Sequence, residues 1–133
     1  MLNRRLFLAG LAAAGTTTLL STPSYAAVDF DEATFNEKLA AGEPVLLDFK
    51  ADWCSTCRRQ ERVIGQLRAD NPAYQAVTVM FADWDMYRGT ELVKRFNVPR
   101  RSTLIAFKDG VEVGRVVAGT GQAQIAALFD AMV

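Results

Sequence analysis

Short apolar runs and amphipathic stretches follow one another along the chain, and their two periods predict its elements in turn. Phe30 to Phe35 reads as a helix start, with Asp31 as N-cap and Phe30 and Phe35 spaced to pack across it. That helix runs to about Ala41, where Gly42 stops it. Val45 to Phe49 is nearly all apolar, as in a strand covered on both faces, and Asp48 is the anomaly in it. From Cys54 to about Ala69, Val63, Ile64 and Leu67 mark one face of a helix that Asn71-Pro72 ends. Val77 to Ala82 is a second β-rich run, Thr90 to Phe96 a brief helix with Leu92, Val93 and Phe96 inward, and Thr103 to Phe107 a third strand. Asp109-Gly110 then turns tightly into Val111 to Val117, because this dipeptide suits a hairpin whose two central residues both have positive φ. Gln122 to Ala131, with Ile125, Leu128 and Phe129 on one side, closes the chain as a helix. With a vestigial strand at Ala27 to Asp29, this order predicts an α/β fold, a mixed central β-sheet with helices on both faces.

Residues 1–26 follow a different logic. Arg4 and Arg5 precede an apolar stretch from Leu6 to Leu20, and Ser24-Tyr25-Ala26 offers small residues at the third and first positions before a cut. This is the pattern of a signal peptide cleaved after Ala26. Asn3-Arg4-Arg5-Leu6-Phe7-Leu8 resembles a twin-arginine export signal, with ordinary secretion as the alternative route. The apolar stretch falls short of the ~20 residues of a membrane span, so no stable membrane insertion is expected after cleavage. Residues 27–133 then form one exported, soluble domain, expected in the periplasm, where disulfides persist.

Composition narrows the chemistry. The 133 residues suffice for one domain, and 15 basic residues balance 15 acidic ones, so there is no positive field to gather nucleic acid. The chain has no histidine, which removes Ser-His and Cys-His hydrolases and His-built metal sites. Two cysteines, Cys54 and Cys57, are left to carry any unusual chemistry.

At a strand-to-helix junction, Cys54 falls in the first turn, where free N–H groups and the helix dipole stabilise a thiolate, and Arg58 and Arg59 are expected to add positive potential. Cys57, about one turn deeper, suits attack on a mixed disulfide held by Cys54. Asp48, on the preceding strand, is the natural proton acceptor for Cys57, and burial should raise its pKa toward a general base's range. Other readings of these residues are a structural disulfide, an incomplete metal site, or a structural carboxylate at Asp48.

Val45-Leu46-Leu47-Asp48-Phe49-Lys50-Ala51-Asp52-Trp53-Cys54-Ser55-Thr56-Cys57 resembles the thioredoxin signature, a hydrophobic strand with a buried Asp leading into Trp-Cys-x-x-Cys. Phe96-Asn97-Val98, the run from Ser102 to Gly110, and Gly119 resemble later parts of the same family, so the resemblance spans about residues 28–133. Ala51-Asp52-Trp53-Cys54, Ala82-Asp83-Trp84 and Leu92 to Val98 look most like the periplasmic thioredoxin-like domain of the membrane thiol-electron transporter. The resemblance implies a thioredoxin fold and a thiol-disulfide oxidoreductase with a redox-active Cys54–Cys57 disulfide and no cofactor or metal. It implies protein or peptide disulfides as substrates and a membrane thiol-electron donor, with reduction as the expected direction. Trp53, Arg101 and Ser102 are the expected substrate contacts. The alternative is a thioredoxin-fold binding or chaperone-like module with a structural disulfide.

Two positions depart from the family. Ser102 stands where thioredoxins carry a cis-proline facing the disulfide, which predicts a trans Arg101-Ser102 peptide and a hydroxyl able to hydrogen-bond a cysteine sulfur. Lys50 stands where thioredoxin has Trp, on the same strand face as Asp48, and should pull the Asp48 pKa down against burial.

Overall fold

The computed structural model describes residues 27–133; the expected signal peptide, residues 1–26, lies outside the described residues. The elements are β1 (Ala27–Asp29), α1 (Glu32–Ala40), β2 (Val45–Lys50), α2 (Ser55–Asp70), a 3₁₀ turn (Pro72–Ala76), β3 (Thr78–Asp83), α3 (Trp84–Tyr87), α4 (Glu91–Arg95), β4 (Thr103–Lys108), β5 (Val111–Val117) and α5 (Gln122–Met132). Five strands form one sheet in the order β1-β3-β2-β4-β5. β1 and β2 run parallel to β3, whereas β4 is antiparallel to both β2 and β5. This is the thioredoxin fold, with its mixed sheet covered on both faces.

Strand alternation divides the core into two layers. Leu46, Val79, Leu104 and Ala106 pack with Ile64 and Leu67 of α2 and Ile125, Leu128 and Phe129 of α5. Val45, Leu47, Phe49, Met80, Ile105 and Phe107 face the other way, against Phe35 of α1 and Leu92 of α4. Asp48 therefore shares the Leu46 face, beneath the helix that carries the cysteines. The all-apolar reading of β2 holds because the strand lies between two others and under helices on both sides.

Local signals acted as expected at several junctions. Asp31 caps α1 by accepting from Thr34 N–H at 2.8 Å, and the Phe30 and Phe35 rings stand 5.5 Å apart. Asp109 and Gly110 take φ of 52° and 80° at the hairpin. Other elements differ from expectation in their bounds. β3 is shifted one residue, to Thr78–Asp83, and the 3₁₀ turn and α3 are additional elements, the latter capped by Asp83. β5 forms one edge of the sheet, with Val111, Val113 and Val117 exposed, and a bulge interrupts its register at Ala106/Phe107. No helix among the described residues is long and apolar enough to cross a membrane.

Candidate active site

The turn between β2 and α2 brings the cysteines to the edge of the sheet. Cys54 is the N-cap of α2 rather than a residue of its first turn; its Sγ accepts from the Cys57 N–H at 3.2 Å. The helix thus supplies the sulfur with one of its free N–H donors, the arrangement that stabilises a thiolate. Both cysteines are free thiols and both are buried, Cys54 at 3% exposure and Cys57 at 1%.

Ser102, at the entrance to β4, places its Oγ 3.2 Å from Cys54 Sγ and 3.0 Å from Cys57 Sγ. A hydroxyl has a single hydrogen to give. With Cys54 anionic, that hydrogen goes to Cys54, which also draws the S–H of Cys57. The Arg101-Ser102 peptide is trans, as the absence of proline predicts, and Ser102 has φ of 63°. Its backbone is held by an N–H bond to Phe49 O at 2.7 Å and by the Ala118 N–H on its carbonyl at 2.9 Å.

These contacts push the two thiols in opposite directions. For Cys54, burial acts upward, but polar contacts from Cys57, Ser102, the Cys57 N–H and Arg101 outweigh it and bring the pKa down to about 7. For Cys57, burial and the hydrogen bond to Cys54 dominate, and the pKa rises. The nearby cation is Arg101, whose guanidinium lies 4.7 Å over the Trp53 ring. Arg58 donates to the Asp52 carbonyl at 2.8 Å, and both Arg58 and Arg59 are exposed.

Asp48 is completely buried, and neither carboxylate oxygen has a hydrogen-bond partner. Its pKa is raised to about 8: burial dominates, Lys50 opposes it, and the charges of Glu61 and Cys54 add to it. Lys50 acts in the expected direction but is drawn off by an ion pair with Glu61 at 3.2 Å and by the Phe81 face, 4.0 Å from its Nζ. Desolvation wins, as it does for a buried carboxylate without donors. That orphaned state disfavours reading Asp48 as a satisfied structural carboxylate.

Trp53 is 55% exposed beside Cys54, consistent with a rim, and its Nε1 donates to Asp85 on α3 at 2.8 Å. The structure therefore gathers Cys54, Cys57, Ser102, Arg101 and Trp53 at one end of the sheet, with Asp48 buried beneath α2. Two participants were not foreseen. Asp85 is brought to Trp53 by α3, whereas Gln60 is fully buried and donates from Nε2 to the Ser102 and Gly119 carbonyls, each at 2.9 Å. The signal for Gln60 is its helical spacing, three residues after Cys57 and four before Ile64.

Comparison with known proteins agrees with this geometry. The family model described as Thioredoxin matches residues 26–131. A thioredoxin of Mycobacterium tuberculosis is 32% identical over 101 residues, 75% of this chain and 84% of its own length. A thioredoxin of Chlamydia trachomatis is 36% identical over 86 residues, 65% of this chain and 78% of its own. Among solved structures, Trxlp from Edwardsiella tarda superposes with a TM-score of 0.68 at 34% identity, covering 80% of this chain and 98% of that one. A match running almost the full length of the described fold, joined to a Cys-x-x-Cys pair at the head of α2, leaves one conclusion: the chain belongs to the thioredoxin family of disulfide oxidoreductases.

Proposed function

We propose that this chain is an exported, periplasmic reductase of protein or peptide disulfides, in which Cys54 attacks, Cys57 resolves and Asp48 accepts the proton. The opposed displacement of the two thiols carries the reading. A thiol at about 7 is substantially ionised near neutrality, while its partner stays protonated until needed. Strongly oxidising Cys-x-x-Cys proteins hold the nucleophile far lower, near ~3.5, so the moderate value favours reduction.

In the first step the Cys54 thiolate attacks one sulfur of the substrate disulfide, forming a mixed disulfide and expelling the other sulfur as a thiolate, which takes up a proton. Attack removes the negative charge from Cys54. That charge raises both Asp48 and Cys57, so its loss lowers both pKa values. Asp48, protonated while Cys54 is anionic, therefore gives its proton up to the departing substrate thiolate, and as a carboxylate it then takes the proton of Cys57, which has become easier to deprotonate. The Cys57 thiolate attacks Cys54 Sγ, the mixed disulfide breaks, and the second substrate sulfur leaves as a thiolate that is then protonated. The substrate gains two electrons and two protons; Cys54 and Cys57 end as a disulfide.

Another dithiol must return the protein to its reduced form, and in an oxidising compartment a membrane thiol-electron donor is the fitting source. Trp53 and Arg101 form the substrate rim, with the Ser102 loop beside the sulfurs. Residues 1–26 supply the address, a twin-arginine-like signal removed after Ala26, and residues 27–133 the working domain. Equilibration against glutathione tests direction: a potential near ~−270 mV supports a reductase and one near ~−120 mV overturns it. Insulin reduction under dithiothreitol tests turnover, and equal turbidity curves for wild type and Cys54→Ser would favour a non-catalytic binding module. Fractionating cells that express the wild type and an Arg4→Lys, Arg5→Lys variant tests export; wild-type protein retained in the cytoplasm with its first 26 residues would refute it.

A further inference from the structure

Gln60 is the unexpected polar residue of α2: its neighbours Arg58, Arg59 and Arg62 are exposed, whereas it is completely buried. A buried carboxamide is costly unless its groups find partners. Its Nε2 finds two, donating to Ser102 O and Gly119 O at 2.9 Å each and tying α2 to the entrance of β4 and to the segment after β5, while its Oε1 has no hydrogen-bond partner. The chain is strained at both places. Ser102 and Ala118 have φ of 63° and 61°, a region that residues with a Cβ rarely adopt. The Ser102 carbonyl already accepts from the Ala118 N–H, so it does not need the glutamine to avoid being unpaired. The second bond fixes its direction.

We propose that Gln60 is a positioning residue of the redox site: its buried carboxamide holds the Ser102 backbone left-handed and thereby keeps the Ser102 hydroxyl between the two sulfurs. Once released, the backbone relaxes toward negative φ and swings the hydroxyl away. Cys54 then loses a donor that favours its thiolate, while Cys57, Arg101 and Asp48, the other groups that interact with it, stay in place. The inference rests on the proposed function only in treating Cys54 as the ionising thiol.

The test is a titration of Cys54 by thiolate absorbance in the reduced full chain, for Gln60→Met, Ser102→Ala and the double variant. Met fills a similar volume and cannot donate. Gln60→Met should raise the Cys54 pKa by roughly one unit, about a tenfold loss of thiolate below the pKa. In the Ser102→Ala background the same change should add little, because the group through which it acts is already gone. An unchanged pKa in folded Gln60→Met would overturn the proposal, as would an equal shift with and without the hydroxyl.

A second measurement uses the wild type and covers the case of a variant that does not fold. The Gln60 side-chain amide protons should exchange slowly with solvent, and their NMR shift should follow the Cys54 titration. Exchange at the rate of a surface glutamine, or shifts insensitive to that titration, would refute the role. None of these readouts requires turnover, so they can fail while insulin reduction succeeds, and the reverse.

Discussion

The indole N–H of Trp53 donates to the Asp85 carboxylate at 2.8 Å, linking the residue before Cys54 to α3 across 32 positions of sequence. An exposed aromatic ring is thereby fixed in orientation, with Arg101 over its face. Asp85→Ala should free the ring. One hydrogen bond of this kind is worth about 1 kcal/mol, so KM for a disulfide substrate should rise about fivefold with kcat little changed. Steady-state kinetics on insulin or a model peptide disulfide checks the split.

The two cysteines should fail differently. Cys54→Ser should abolish disulfide reduction. Cys57→Ser should still attack but be unable to resolve, and mass spectrometry should find substrate bound through a disulfide to Cys54. Finding the adduct on Cys57 in the Cys54→Ser protein instead would reverse the assignment.

Alkylation of the reduced protein by iodoacetamide should follow the Cys54 thiolate. With a pKa of about 7, the rate should rise about tenfold per pH unit in acid and level off above neutrality. An ordinary buried thiol would instead keep accelerating toward pH 9 and beyond.

Asp48 sets an opposite pH dependence on stability. Its pKa is about 8 in the folded chain against an ordinary 3.8, so the native state binds the proton more tightly. The stability it contributes is fully present below pH ~3.8 and is lost as pH rises toward 8. Asp48→Asn should therefore matter little at pH 4 and stabilise by several kcal/mol at pH 8, while resolution by Cys57 slows about a hundredfold. Denaturant melts across pH and stopped-flow resolution measure the two effects.

Restoring a proline at position 102 should harm this chain. Proline fixes φ near −65° and lacks an N–H, whereas Ser102 has φ of 63° and donates to Phe49 O at 2.7 Å. Ser102→Pro should cost about 3 kcal/mol or more, and Ser102→Gly, at ease with positive φ, far less. Thermal melts of both variants provide the comparison.

Much of this was legible because periodicity reports burial. The central strands read as apolar runs, and Asp48 stood out for being charged where both faces are covered. The strand-to-helix placement of Cys54 announced its chemistry. α3 was not legible, since a four-residue turn from Trp84 to Tyr87 is too short to show a period. Gln60 was hidden by composition: it follows two arginines and reads as solvated until its spacing from Cys57 and Ile64 is counted. The left-handed backbone at Ser102 had no local sign at all, because serine is not a residue that advertises positive φ; its hydrogen bonds to Phe49, Ala118 and Gln60 come from distant parts of the chain.

The outer strand β5 raises a question of solubility rather than catalysis. Val111, Val113 and Val117 present an apolar margin that another sheet could extend by strand addition. The bulge at Ala106/Phe107 spoils the flat template, and Arg115, clasped by Glu112 and donating to the Phe96 carbonyl at 3.0 Å, puts a charged pair in the middle of that margin. The consequence is a division of labour within one sheet, in which the end bearing the sulfurs admits foreign chains while the lateral border discourages copies of itself from zipping together.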